Sequence, residues 1–312
     1  MKPPRPKAGK ARRLRAVTLP SFAKINLGLE VLGVREDGYH ELRTIFQTVA
    51  LSDVLEIRPG RPGVTVRCTH PLVPLDESNL AARAALELHR WAGIEPALDI
   101  HIEKRIPVGG GLGGGSSNAA TVFLALDRLL GLGLGPSGLH PLARKLGADV
   151  PFFLVGGTAL GLGRGDEVYP LAMQVRVHIV LVDAGIPVST AAVFRRVDAR
   201  LTPRENSNSI FRFASRDLKG ADSFRLLVND LEEAALEEAP ALAARAAQIR
   251  SLLAEDSPGL VALSGSGSTY FGVFEDGRIA RRAAARLGAS GLQASSVRTL
   301  PLGEYRRSLG SP

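Results

Sequence analysis

The chain has 312 residues, 45% of them apolar and 22% charged, values of an ordinary soluble globular protein that exclude wholesale disorder and suggest about two domains at roughly 150 residues each. Lysine and arginine number 39 against 31 acids, a net charge of +8 with a pI near 10.0, which by itself points to nucleic acid or an anionic membrane. The single cysteine, Cys68, excludes an intramolecular disulfide or a multi-cysteine metal site and fits a reducing, cytoplasmic compartment.

The charge is unevenly placed. Lys2, Arg5, Lys7, Lys10, Arg12, Arg13 and Arg15 fall in the first fifteen residues, and the first acid is Glu30. Seven of the eight net charges therefore belong to an arm, 1–15, whose prolines and Gly9 predict a flexible segment. A nucleic-acid-binding protein is the rival reading, but it calls for bases spread over a folded face. Lys24 interrupts any apolar run after the arm, so no signal peptide is predicted. The uncharged stretch Ile106 to Leu126 reaches membrane length, but six glycines, two serines and an asparagine argue against a span. Six scattered histidines show no metal-ligand spacing.

Val17 to Val34 reads as a strand pair carrying Ala23-Lys24-Ile25-Asn26-Leu27, and Leu55–Arg58 with Val64–Cys68 as a hairpin around Pro59-Gly60-Arg61-Pro62-Gly63. Ser78-Asn79 caps a helix to about Trp91, with Leu80, Ala84, Leu88 and Trp91 on one face. Leu98, Ile100 and Ile102 alternate with Asp99, His101 and Glu103, the pattern of a half-buried strand. A glycine loop follows, then an apolar, buried helix from Ser116-Ser117-Asn118 to about Leu130. Another helix covers Leu139–Leu146, and Phe152–Gly165 reads as strands and turns, which puts Asp149 at a helix-to-strand junction. In the second half, Val175–Val182, Val261–Leu263, Tyr270–Phe274 and Gln293–Arg298 read as strands. Thr190–Asp198, Asn229–Leu236, Ala241–Ala254 and Arg278–Leu287 read as helices. The whole is an α+β chain in two lobes, 16–170 and 171–312.

Three segments carry chemistry. Pro107-Val108-Gly109-Gly110-Gly111-Leu112-Gly113-Gly114-Gly115-Ser116-Ser117 joins a strand to a helix. Glycines let its backbone approach a ligand and its amide hydrogens converge, and the helix start adds free N–H groups, so a phosphate chain is the natural ligand. Ser116 and Ser117 offer hydroxyls to phosphate oxygens or a magnesium ion, and Lys104 offers positive charge. The loop ends in Gly-Ser-Ser and lacks the Gly-Lys-Ser/Thr of a P-loop. A formal Gly-x-Gly-x-x-Gly match is near-automatic in so glycine-rich a run, and Asp127, the acid at the dinucleotide count, falls inside a helix. Asp149 in Gly147-Ala148-Asp149-Val150-Pro151 needs a partner if buried. Lys24, in an otherwise apolar strand, needs one as well or snorkels outward. Leu263-Ser264-Gly265-Ser266-Gly267-Ser268 is a second Gly/Ser loop, which with the first reads as the other wall of a cleft.

In this order the Lys24 motif, the glycine-serine loop, Gly-x-Asp-x-Pro and the late Gly-Ser-Gly loop resemble the GHMP kinase superfamily, with its galactokinases, homoserine kinases and mevalonate kinases. Asp37-Gly38-Tyr39-His40-Glu41-Leu42 and Asn229-Asp230-Leu231-Glu232 bring the likeness closest to the branch that phosphorylates a cytidine diphosphate methylerythritol, from about residue 17 to 300. The resemblance implies a two-lobed fold: an N-terminal ATP-binding lobe, a ferredoxin-like C-terminal lobe, and the active site between them. It implies ATP as co-substrate with Mg2+, and small molecules rather than nucleic acid or membrane as partners. Asp149 matches the general base that takes the proton of the substrate's 2-hydroxyl. Lys24 matches the lysine beside it, where an ammonium favours the charged carboxylate. Asn79, Leu80, Lys104, Pro107, Gly109, Gly110, Gly111, Leu112, Gly113, Gly114, Gly115, Ser116 and Ser117 match the ATP site. Asn26, Tyr39, His40, Thr190, Phe194, Gly265, Ser266 and Gly267 match the acceptor site, with Tyr39 and Phe194 on either face of the cytosine and His40 on its edge. Ala191 departs from a proline common at that position in relatives.

Overall fold

A computed structural model describes residues 15–172, 175–198, 209–215 and 221–310. The flexible arm expected over 1–15 lies, except for Arg15, outside the described residues.

The first sheet is built on two long antiparallel strands, β1 (Val17–Val34) and β2 (His40–Pro59). The stretch Val17 to Val34 is thus one strand, not a pair. Register shifts after Phe22, Asn26 and Val31 accommodate the bending that a strand of 18 residues requires. The predicted hairpin is also absent. β3 (Gly63–Cys68) pairs in parallel with β4 (Ala97–Glu103), and β4 pairs antiparallel with β2, so β4 lies between the two expected partners. The 59–63 link crosses the start of β4. Gly60 and Gly63 donate to the carbonyls of Ala97 and Pro96, and a Cβ on Gly60 would meet the backbone of Leu98 at 2.7 Å. β5 (Thr158–Gly163) and β6 (Glu167–Pro170) complete the sheet, ordered β3-β4-β2-β5-β6 with β1 also on β2.

Helices α1 (Leu80–Ala92), α2 (Gly114–Leu129), α3 (Gly135–Leu146) and α4 (Val150–Val155) lie against this sheet. The Asn79 side chain caps α1 as expected. α2 begins two residues before Ser116, and most of its residues are buried around Phe123 and Leu126. Asp149 stands at the start of α4, a short helix that the apolar run Val150–Leu154 did not reveal. It therefore lies between two helices, not at a helix-to-strand junction.

The second sheet has the order β10-β7-β9-β8, from β7 (His178–Asp183), β8 (Leu260–Leu263), β9 (Thr269–Phe274) and β10 (Gln293–Arg298), all antiparallel. Helices α5 (Thr190–Asp198), α7 (Glu232–Glu238), α8 (Pro240–Ala254) and α9 (Gly277–Ala289) cover one face, against Val180 and Val182. The alternating residues Ile179 and Leu181 face the other way, into a core shared with Ala23, Ile25 and Leu27 of β1. The short α6 (Ser209–Ala214) joins that shared core through Ile210 and Phe213, while α10 (Leu302–Ser308) returns to the first layer, where buried Tyr305 donates its hydroxyl to the Phe153 carbonyl. This two-lobed α+β arrangement, with a ferredoxin-like second sheet, is the one expected.

Candidate active site

Strand alternation that buries Ala23, Ile25 and Leu27 in the shared core turns Lys24 and Asn26 to the opposite side, into the cleft. There the Lys24 ammonium lies 3.4 Å from Asp149 Oδ2 and donates to Asn26 Oδ1 at 2.6 Å. The Asn26 amide donates to Thr44 Oγ1 (2.9 Å), which donates to the Gly28 carbonyl (2.7 Å). A chain of hydrogen bonds thus fixes the lysine while its side chain is only 4% exposed. The Asp149 side chain remains 35% exposed and open to a ligand.

The glycine loop 109–115 adjoins this pair. Gly109, Gly111 and Gly113 have φ of 76°, 75° and 70°. A left-handed residue at every second position is the backbone form that gathers amide hydrogens into an anion-binding concavity. Gly113 caps α2 without a side chain, and the first backbone bond of the helix runs from Ser117 N to the Gly113 carbonyl. The preceding N–H groups at the start of α2 thus remain available to an anion, with the positive end of the helix dipole behind them. A Cβ at Gly113 would meet the Phe153 ring at 2.8 Å and Lys24 Cγ at 3.1 Å.

Two cavities meet here. One, of about 350 Å3, has Asn79, Leu80, Lys104, Pro107, Gly109–Gly115 and Ser116 on its walls, together with the apolar Leu72, Val73 and Val108. The other, of about 330 Å3, is lined by Lys24, Asn26, Asp149, Arg164, Thr190, Phe194, Gly265 and Ser266 among others. Gly111, Gly113 and Ser116 line both.

Of the expected site residues, Ser117, Tyr39, His40 and Gly267 lie off both walls, and several of the others are held by protein partners. Ser117 is 1% exposed and accepts from the Ser21 hydroxyl at 2.8 Å. It sits beneath the loop, on neither cavity wall. The Lys104 ammonium is bound by Asp53, at 3.0 and 2.9 Å to the two oxygens, and by the Ile106 carbonyl at 2.5 Å. Burial pulls its pKa below the ordinary lysine value, and the Asp53 charge opposes that shift. Asp53 also accepts from the N–H groups of Arg105 and Ile106 and from Asn118, so this carboxylate ties the root of the loop to α2. Tyr39 is 56% exposed, with the Arg164 guanidinium 4.7 Å from its ring centre. Phe194 packs on His40 at 4.6 Å, and His40 Nε2 bonds Asp198 at 2.5 Å. The aromatic pair is thus His40 with Phe194, and Tyr39, His40 and Gly267 lie on neither wall. Thr190 and Ser266 join their hydroxyls at 2.7 Å.

Arg164 is the main cavity residue that sequence reasoning missed. Its signal, one arginine in a Gly-Arg-Gly-Asp turn, gains meaning only once β5 brings the turn beside Asp149. Among the described residues no three His, Cys, Asp or Glu side chains group around a metal position.

A glycine loop at one wall and a Lys–Asp pair at the other, on these two lobes, define a small-molecule kinase of the GHMP class, and the profile described as GHMP kinases N terminal domain matches residues 79–157. The chain is 44% identical to the 4-diphosphocytidyl-2-C-methyl-D-erythritol kinase of Geobacter sp. (strain M21), over 92% of this chain and 100% of the relative. It is 42% identical to that of Moorella thermoacetica, over 91% and 99%. A crystal structure of 4-(cytidine 5'-diphospho)-2C-methyl-D-erythritol kinase aligns with TM-score 0.74 and 38% identity, covering 91% of this chain and 99% of that one. The chain belongs to the 4-diphosphocytidyl-2-C-methyl-D-erythritol kinase family, phosphotransferases with an alcohol acceptor. L. major mevalonate kinase, at 17% identity and TM-score 0.70, shares the fold.

Proposed function

We propose that the protein transfers the γ-phosphoryl group of ATP to the 2-hydroxyl of 4-(cytidine 5'-diphospho)-2-C-methyl-D-erythritol, giving the 2-phosphate and ADP in non-mevalonate isoprenoid precursor synthesis. The observation that carries this reading is the meeting of the two cavities at Gly111, Gly113 and Ser116, with Lys24 and Asp149 on the acceptor side. The adenine lies near the apolar Leu72, Val73 and Leu80, and the phosphates run along the loop to the junction. The acceptor occupies the second cavity, its hydroxyl against Asp149.

Asp149 accepts the hydroxyl proton as the oxygen bonds to the γ-phosphorus and the bond to the β,γ-bridging oxygen breaks, leaving ADP. Lys24, held by Asn26, orients the carboxylate and adds positive charge where charge moves. Phosphoryl transfer asks mainly for alignment and charge stabilisation. Loop amides and the α2 start supply the latter to the phosphates. A magnesium ion carried with ATP supplies further charge neutralisation when bound, and the Ser116 hydroxyl is the side-chain oxygen at the junction to hold it. Phe194 and Arg164 serve the cytidine diphosphate end, an apolar ring face and a guanidinium matching a base and a diphosphate.

ADP release measured with the cytidine compound, homoserine, mevalonate and galactose side by side tests the substrate. Turnover of one of the others with none of the cytidine compound would refute this choice. Asp149→Asn is expected to keep ATP binding and lose about 10²–10⁴-fold in rate. A near-wild-type rate would remove Asp149 as the base.

A further inference from the structure

Four consecutive residues, Asn229 to Glu232, brace the cleft; Leu231 also lines the second cavity, and the other three have no part in the chemistry described above. Both hydrogens of the Asn229 amide are donated, to the carbonyls of Leu263 (2.9 Å) and Gly265 (2.7 Å), and its Oδ1 accepts from Leu231 N–H at 3.0 Å. Asp230 accepts from Val31 N–H at 3.0 Å and donates its own N–H to the Leu29 carbonyl at 2.9 Å, which latches the segment to the strand carrying Lys24. Glu232 accepts from the Tyr270 hydroxyl at 2.8 Å, beyond the far end of loop 264–268. The loop is therefore gripped at its entry by Asn229 and braced past its exit by Glu232.

What the loop touches gives the grip its meaning. Gly265 has φ 59°, and a Cβ there would lie 3.2 Å from Asn26 Oδ1 and 3.6 Å from the Lys24 ammonium. Ser264 donates its hydroxyl to the Gly111 carbonyl at 3.1 Å, and Thr269 N–H donates to that of Gly110 at 3.1 Å. One loop thus leans on both the Lys24 group and the phosphate loop. Asn is the small side chain that presents two donors and one acceptor in one plane, and Asp of the same shape has no donor for the two carbonyls.

We propose that Asn229 is a positioning residue for phosphoryl transfer: by holding the carbonyls of Leu263 and Gly265 it sets the gap between the second glycine loop and Lys24, and with it the line from acceptor hydroxyl to γ-phosphate. The proposal rests on the roles given above to Lys24 and Asp149. A displacement of about 1 Å at such a site costs on the order of 10²-fold in rate.

The test measures kcat, both KM values and the thermal midpoint for Asn229→Ala, the isosteric Asn229→Asp, Asp149→Asn and Asp256→Ala. The last removes the Asp256 pairs with Arg282 and Arg286, away from the cleft, and serves as a destabilised control. Both Asn229 variants are expected to lose about 100-fold in kcat with KM for ATP within about threefold of wild type, while Asp256→Ala loses thermal stability and keeps kcat. If Asn229→Ala does not fold, Asn229→Asp decides. A kcat within about threefold of wild type in the folded Asn229 variants, or a loss matched by Asp256→Ala, overturns the proposal. Asp149→Asn at wild-type rate overturns the underlying mechanism instead. Asp149→Asn inactive beside fully active Asn229 variants overturns the positioning role alone.

Discussion

Gly111→Ala separates the two loops by the smallest chemical change available. At φ 75° an added Cβ would sit 3.0 Å from the Gly267 carbonyl oxygen and closer still to that of Ser264, whereas ordinary Cβ contact begins at 3.4 Å. Both obstacles are backbone, on a loop held by Asn229, so the side chain has no flexible neighbour to push aside. The left-handed conformation costs alanine roughly 1–2 kcal/mol. Relieving the collision parts the loops by roughly 1 Å, enough for about a 10²-fold loss of rate. Gly109→Ala is the internal comparison: its φ is 76°, yet nothing lies within 4 Å of an added Cβ. Coupled ADP-release kinetics with thermal melts would compare the two. Both variants are expected to lower the thermal midpoint, Gly111→Ala by more, with Gly111→Ala also the slower enzyme by at least about tenfold. Equal rates would refute the claim that contact between the loops sets the alignment.

Other outcomes follow from buried charge. Asp53→Ala leaves the Lys104 ammonium buried without its carboxylate and the root of the phosphate loop without three further hydrogen bonds. It is expected to cost about 3–5 kcal/mol in chemical denaturation, and a cost below about 1 kcal/mol would mean that water takes over the site. Asp166 is 0% exposed and binds Arg144 and Arg164 at 2.8 and 2.9 Å. Burial pushes its carboxyl up, but the two guanidiniums more than offset this and hold it below the ordinary 3.8. Because the folded value is depressed, the stability it contributes is complete above 3.8 and is lost as pH falls through the folded value. The stability gap between wild type and Asp166→Asn should therefore be flat near neutral pH and close in acid, and a gap that widens in acid would contradict the pairing. Arg164→Met is expected to raise KM for the cytidine compound about tenfold or more while sparing KM for ATP. An unchanged KM would take Arg164 out of acceptor binding.

Much of the framework around the cleft was legible in the chain because it is local. A glycine run with a helix directly after it needs only neighbours in sequence, so the loop and the buried helix α2 were read from the chain. The alternation of Leu98, Ile100 and Ile102 likewise identified β4, and Asn79 the start of α1. Which strands pair is not local. The residues 55–58 and 64–68 look like a hairpin until β4 takes the place between them, a choice made by hydrogen-bonding on both edges of a strand distant in sequence. The same holds at the cleft. Lys24 and Asp149 are separated by most of the first lobe and meet only because β1 and the start of α4 converge under the loop. Lys104 and Ser117 looked like free ligand groups, yet tertiary packing gives each a buried partner, Asp53 and Ser21. The two-lobed class, the glycine loop ahead of a buried helix and the resemblance to a kinase family could be read along the chain, because those depend on local backbone conformation and composition. It took the tertiary structure to show which of the charged groups line the cleft and which are consumed in holding the loop. A buried charge takes the partner that geometry offers, and that geometry exists only once both sheets have closed around the cleft.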